Sequence, residues 1–330
     1  MNSLIQIDLV SQAAAAVVVV PVLVVCALLL VNNMGSSLSQ YNPSSIFRFT
    51  SIDPQAEAKS QIHRITTIGP QTEANSQIHR ITTIDPQTEA NSLKYRKQRD
   101  DLSRQLNLMK KLYGQLNCEN LSLRRSKNEQ VDDRVSENGG WCGNTSSSTS
   151  LEHVWDEPFS KAMSTFLEGK CVASFGEGPG LYKKHMDSLG QVANYTAYDG
   201  APLSENITNG LVMFLDLTAP QYGLPVYDWV ISVEVGEHIP AKYEDVYLDN
   251  LVRHAKEGII LSWAVPGQKG LSHVNNKPPE EVLAQMVKRG FTIDKEHGEQ
   301  LRNAATSEWL RRNVNVYRRQ NVDSFREEDA

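Results

Sequence analysis

The chain has few cysteines, and none of them form a motif. Cys26, Cys118, Cys142 and Cys171 show no Cys-x-x-Cys spacing, which excludes a zinc ribbon and a dense disulfide framework. Cys118 and Cys142 lie in polar sequence that suits either a bridge or two free thiols. A positive excess is also missing where folded structure is expected. Residues 151–330 carry 18 Lys and Arg against 26 Asp and Glu, a balance of −8 within a net charge of −6 for all 330 residues. Binding to nucleic-acid backbone needs clustered cations and is not expected of such a surface. No basic residue precedes the long apolar run near the start, whereas a cleaved signal peptide would carry one.

That run, Ala13–Val31, holds 19 residues without a charged or strongly polar side chain, and as a helix it would span roughly 28 Å, the thickness of a bilayer core. It reads as a retained single-pass anchor following a tail of residues 1–12, with the lipid bilayer as its partner. Asp8 before it and Arg48 after it leave the membrane side and the compartment undecided. Residues 32–91 contain a 16-residue repeat, nearly identical in Ser60–Asn75 and Ser76–Asn91. Units this short and polar cannot stack a core, so they predict an extended spacer. In residues 92–125, Leu102, Leu106, Met109, Tyr113 and Leu116 recur at spacings of 4, 3, 4 and 3. That pattern predicts a coiled-coil stalk and a homodimer through residues 102–116; the alternative is one amphipathic helix lying on the domain. Residues 126–150, with Gly139-Gly140 and the run Thr145–Ser150, read as a flexible linker.

From residue 151 the pattern becomes short β-rich runs alternating with helical stretches, which predicts an α/β fold with a doubly wound, mostly parallel sheet. Seven strands are expected, at Cys171–Phe175, Asn194–Tyr198, Val212–Leu215, Trp229–Val233, Gly258–Trp263, Phe291–Lys295 and Asn313–Tyr317. Helices are expected near Phe159–Leu167, Leu181–Leu189, Tyr243–Ala255 and Pro279–Arg289. The first strand runs into Gly176-Glu177-Gly178-Pro179-Gly180, a turn that lets a ligand approach the backbone and points a helix N-terminus at a ligand carboxylate or phosphate. Asp199 closes the second strand, where an acid can accept hydrogen bonds from ribose hydroxyls, and Asp216 closes the third.

These residues resemble the class I S-adenosylmethionine-dependent methyltransferases over about Val154–Arg319. Gly176–Gly180 looks like the family's first motif, Asp199 like its ribose acid, and Asp216-Leu217 like its adenine-binding pair. The segment from Tyr227 to Pro240, together with Ser262–Asn275, resembles the membrane-anchored methyltransferase-like proteins in particular. The resemblance implies a Rossmann-like fold, S-adenosylmethionine as cofactor held by Gly176, Glu177, Gly178, Gly180, Asp199, Asp216, Leu217 and Glu234, and methyl transfer to an oxygen or nitrogen acceptor. The chain departs from the family at Ser174, where an acid usually stands two residues before the first glycine.

Methyl transfer is an in-line displacement, so the protein must position the acceptor and, for oxygen, take up its proton. Glu237, His238 and His273 are the candidates. Glu234, Glu237, His238 and His273 also form a donor set for magnesium or another divalent metal, and the Glu-x-x-Glu-His spacing resembles metal-using O-methyltransferases. The glycine turn and the acid after the second strand also fit a NAD-dependent oxidoreductase, and a non-enzymatic methyltransferase-fold scaffold is a third reading. Asp216 and the Glu234–Pro240 segment favour the methyltransferase.

Overall fold

A computed structural model describes residues 86–130, 134–142, 155–322 and 325. The expected tail, the Ala13–Val31 anchor and the spacer as far as residue 85 lie outside the described residues. Among the described residues no helix is long and apolar enough to cross a membrane.

The first element, α1 (Pro86–Ser126), already takes in the last six residues assigned to the spacer. Pro86 stands at its first position, where a missing N–H costs nothing. The 41-residue helix is dominated by good helix formers, with a single interior glycine, Gly114. A helix over these residues is as expected, and it lies along the domain. The apolar row faces water: Leu102 and Met109 are each 62% exposed, and Leu106, Tyr113 and Leu116 are exposed too. The row that meets the domain is one residue out of phase and is small and polar. Ser103 donates to the carbonyl of Pro220 at 3.0 Å and accepts from the Tyr222 N–H at 2.8 Å. Asn107 donates to the Phe214 carbonyl and accepts from the Asp216 N–H. Gly114 lies so close to Pro202 that a β-carbon there would come within 2.5 Å of its ring.

Cys118, at the end of that row, is disulfide-bonded to Cys142, with Cα atoms 5.2 Å apart. The bridge draws residues 134–142 onto the domain, where Val135 and Trp141 pair in a short antiparallel bridge. The middle of the expected flexible linker is therefore a fixed turn.

The domain then alternates α2 (Glu157–Phe166), β1 (Cys171–Phe175), α3 (Leu181–Leu189), β2 (Asn194–Asp199), the short α4 (Ser204–Ile207), β3 (Met213–Phe214) and β4 (Tyr227–Ser232). It continues with α5 (Glu244–His254), β5 (Ala255–Leu261), α6 (Pro279–Lys288), β6 (Phe291–Asp294), α7 (Lys295–Ala304), α8 (Glu308–Asn313) and β7 (Asn315–Arg319). The sheet order is β3-β2-β1-β4-β5-β7-β6. Strands β1 to β5 pair in parallel, whereas β7 runs antiparallel to both neighbours. Seven strands in a mostly parallel sheet are as expected, with β1 unshifted and the ends of the others displaced by at most three residues. Helices α4, α7 and α8 were not expected, and the segment beginning at Asn313 is helical before it becomes β7.

Side chains alternate across the sheet into two cores. Ala173 and Phe175 of β1 and Val230 of β4 pack with α5 and α6, while Val172, Trp229 and Ile231 face α2, α3 and α7. Tyr247, Tyr317, Phe159 and Phe175 are fully buried, each contributing about 1.5–3 kcal/mol by removal from water. The order of β1 and β4 puts the sheet's reversal of direction between them, and the crevice beyond their carboxyl ends is where doubly wound domains take ligands.

Candidate functional site

A cleft of about 540 Å³ opens at this reversal. Its floor is the turn after β1. Gly176, Gly178 and Gly180 all have positive φ, at 96°, 66° and 82°, which a glycine adopts at little cost. At Gly176 a β-carbon would also fall 2.2 Å from Val235. The Gly176 and Glu177 N–H groups both donate to the Tyr198 carbonyl, which pins the turn to β2.

Glu177 is buried and turned into the domain. One carboxylate oxygen accepts from the Lys183 N–H of the first turn of α3 at 2.6 Å, and the other from the Tyr195 hydroxyl at 3.0 Å. The expected open helix N-terminus is thus already capped by the chain's own carboxylate. Burial is the main influence on Glu177 and pushes its carboxyl up to about 7, with the nearby charge of Asp199 adding to the rise, against hydrogen bonds from Ser174, Lys183 and Tyr195 that favour the anion.

Asp199 stands at the end of β2 as expected and lines the cleft. Its two oxygens accept from the Gly178 and Ala201 N–H groups, each at 2.7 Å. Asp216 is placed differently. It is buried, one oxygen accepts from the Thr218 N–H and hydroxyl, and the other faces the Lys110 ammonium of α1 at 3.7 Å. Its carboxylate does not line the cleft, whereas Leu217 does.

Beyond β4 the backbone is strained. Glu234 has φ of 54°, a conformation that non-glycine residues seldom hold without support. The support is a clamp: Ser262 and Asn313 donate to one carboxylate oxygen at 2.8 and 3.2 Å, and Gln268 donates to the other at 2.9 Å. Gln268 and Asn313 in turn bond each other. None of these three was singled out from the sequence as acting on Glu234. Asn313 comes from the unexpected α8, and the only available signal was the polar Gln268 inside the matched Ser262–Asn275 segment.

Glu237, in the short turn Gly236–His238, has no exposed surface, and neither carboxylate oxygen has a hydrogen bond of good geometry. Burial first, then the neighbouring Glu234 charge, raises its carboxyl well above the usual range, while the Glu237 and Ala264 amides counteract only weakly. Its backbone carbonyl accepts from the Val274 and Asn275 N–H groups, which brings His273 back to β4. The His238 and His273 rings meet edge to face at 4.9 Å between centroids. Ligating atoms of Glu237, His238 and His273 lie within 4.8 Å of one another. Glu234, the fourth expected metal ligand, is outside that group and tied up in its clamp.

The turn at residues 138–141 forms the roof. Asn138 donates to the Gly200 carbonyl at 3.1 Å. β-carbons at Gly139 and Gly140 would fall 2.4 Å from the His238 carbonyl oxygen and 2.2 Å from that of Gly200. The roof therefore touches both the ribose-acid side and the histidine side.

Glu177, Asp199 and Glu234 line the interior while Glu237 is fully buried, and among the described residues none of Glu177, Glu234 and Glu237 forms an ion pair with a Lys or Arg. The cations of the cleft, Lys269 and Arg312, sit on its exposed rim. Such an interior favours a cationic ligand.

No protein-family profile matches the chain, and no curated protein sequence matches it. Solved structures do. Magnesium protoporphyrin IX methyltransferase from Synechocystis PCC 6803 with bound S-adenosylhomocysteine is 16% identical, covering 60% of this chain and 94% of its own, with a TM-score of 0.38. CalS10, an amino pentose methyltransferase from Micromonospora echinaspora with bound S-adenosylmethionine, is 10% identical over 51% of this chain and 93% of its own, with a TM-score of 0.40. The 1,6-didemethyltoxoflavin-N1-methyltransferase of Burkholderia thailandensis is 15% identical over 50% of this chain and 79% of its own, with a TM-score of 0.35. By its own strand order, reversed β7 and glycine turn, the chain has the seven-stranded Rossmann-like fold of the class I methyltransferases.

Proposed function

We propose that the domain is an S-adenosylmethionine-dependent methyltransferase. The observation that carries this reading is Glu177, whose carboxylate fills the anion site at the N-terminus of α3. A dinucleotide needs that site for its pyrophosphate, so the oxidoreductase reading loses its main anchor. A cofactor bearing a sulfonium and an ammonium suits the acidic interior instead. In this reading the glycine turn admits the cofactor, Asp199 receives the ribose and Leu217 contributes apolar contact to the adenine. Bound S-adenosylmethionine would supply the electrophilic methyl group.

The chain's own contribution is placement and proton transfer. Glu237 has no exposed surface whereas His238 and His273 line the cleft, so one of the histidines is the better base toward an oxygen or nitrogen acceptor. The same three residues support a second possibility, a divalent cation. One carboxylate and two imidazoles suit manganese, iron or zinc better than magnesium, and a cation would satisfy the bare oxygens of Glu237. Chelation separates the two, since a metal-assisted reaction stops in EDTA and returns with added Mn²⁺.

Anchoring through Ala13–Val31 and pairing through the outward row of α1 belong to the same proposal. Their support is the apolar run and the exposed side chains, and the Cys118–Cys142 bridge favours an oxidising side of the membrane. The cofactor assignment is tested by thermal melting of the full chain. S-adenosylmethionine or S-adenosylhomocysteine should raise the melting temperature saturably and NAD should not. No shift at millimolar S-adenosylhomocysteine overturns it.

A further inference from the structure

Class I methyltransferases usually carry an acid two residues before the first glycine, and this chain has Ser174. The deficit is made up three residues later. Ser174 and Glu177 both line the cleft and are both buried, at 5% and 6% exposure. We propose that Glu177 takes over the missing acid's task and receives the α-ammonium group at the amino-acid end of the cofactor; this rests on the methyltransferase reading above.

The hydrogen-bond arithmetic leaves room for that contact. A carboxylate offers about four acceptor positions, and the Lys183 N–H and the Tyr195 hydroxyl occupy two. The remaining two are open to a donor from the cleft, which Glu177 lines. No protein cation competes for them. The Lys183 ammonium, nearest in sequence, is engaged with Asp187 at 2.6 Å on the outer face of α3. The other titratable groups facing Glu177 are Asp199 from β2, Tyr195 from β2 and Tyr182 from α3, with Glu234 acting on Tyr182 from the β4 side. All are acids, so a positive ligand is the only partner that relieves them. A resting carboxyl near 7 becomes an anion when an ammonium arrives, and cofactor binding then releases a proton.

The experiment compares two ligands on the full-length protein by calorimetry. S-adenosylhomocysteine carries the amino-acid end, whereas 5′-methylthioadenosine keeps the adenosine and thioether but lacks it. Glu177→Gln should weaken S-adenosylhomocysteine about ten- to hundredfold, the worth of one charge-assisted hydrogen bond. Binding of 5′-methylthioadenosine should change by less than about twofold, since its contacts are spared. Proton release on binding S-adenosylhomocysteine at pH 7 should vanish in the variant. Ser174→Asp added to Glu177→Gln should restore affinity for S-adenosylhomocysteine. Equal losses for both ligands would show that Glu177 merely caps α3, and no loss for either would remove it from the site; each result overturns the assignment. If the unaltered protein binds neither ligand, the methyltransferase reading fails first.

Discussion

The two walls of the cleft are built to different standards. On the β1–β2 side every buried carboxylate is hydrogen-bonded: Asp199 accepts two backbone N–H groups, and Glu177 accepts one N–H and one hydroxyl. On the β4–β5 side Glu234 is clamped in a strained conformation, and Glu237 beside it is buried with both oxygens bare. The first wall is hydrogen-bonded without its ligand and keeps acceptor capacity for one, as expected of a cofactor site. The second stores unfavourable free energy that a ligand, a proton or a cation can release, as expected where the chemistry changes from substrate to substrate.

The sharpest way to break this contrast is to damage the hydrogen-bonded wall. Asp199→Ala leaves the Gly178 and Ala201 N–H groups without acceptors, each costing about 1–3 kcal/mol. Affinity for S-adenosylhomocysteine should drop at least about 100-fold, and a variant that binds normally would show that the wall is not a cofactor site. Next comes the roof. Replacing Cys118 and Cys142 by serine removes a cross-link over a 24-residue separation, worth about 3 kcal/mol to the segment it holds. Limited proteolysis should then cut between Arg134 and Cys142, with cofactor binding about tenfold weaker.

A smaller effect of opposite sign is expected at the second wall. The Glu237 carboxyl is raised in the folded protein, so the folded state holds a proton that the unfolded chain sheds above its ordinary value near 4.3. Glu237 therefore costs stability as pH rises from there toward its folded value. Glu237→Gln should raise the melting temperature by about 2–4 °C at pH 8, and the gain should shrink toward pH 4, while methyl transfer falls. A lower melting temperature at pH 8 would mean that Glu237 is satisfied after all. The smallest effect belongs to the outward face of α1: Leu106→Glu should change domain stability by less than about 0.5 kcal/mol, while sedimentation would register the loss of any dimer built on that row.

How much was legible beforehand follows from where the apolar signal lies. Strand β1 and helix α3 were read with their observed ends because Val172, Ala173 and Phe175 are buried apolar residues bounded by glycines, and Gly180 and Gly190 bracket the helix. Helix α7, Lys295–Ala304, escaped because only Gly298 and Leu301 of its ten residues are buried, so no 3.6-residue apolar stripe marks it. In helix α1 the two faces carry different signals. Its visible stripe faces water, and its docking face is written in Ser103, Asn107, Gly114 and Cys118, residues that carry no hydropathy signal. Asp199, the glycine turn and the trio Glu237, His238 and His273 were found from spacing. The direction of Glu177, the diversion of Asp216 to α1 and the clamp on Glu234 depend on side-chain geometry that spacing does not encode.

The docking of α1 also sets the smallest unit that can be handled in isolation. A fragment starting at residue 151, where β-rich sequence begins, would bare the two-residue β3 at the sheet margin and leave Asp216 without Lys110 and Asn107. Unpaired sheet margins of that kind recruit other chains, so such a fragment should precipitate where one starting at Pro86 stays in solution.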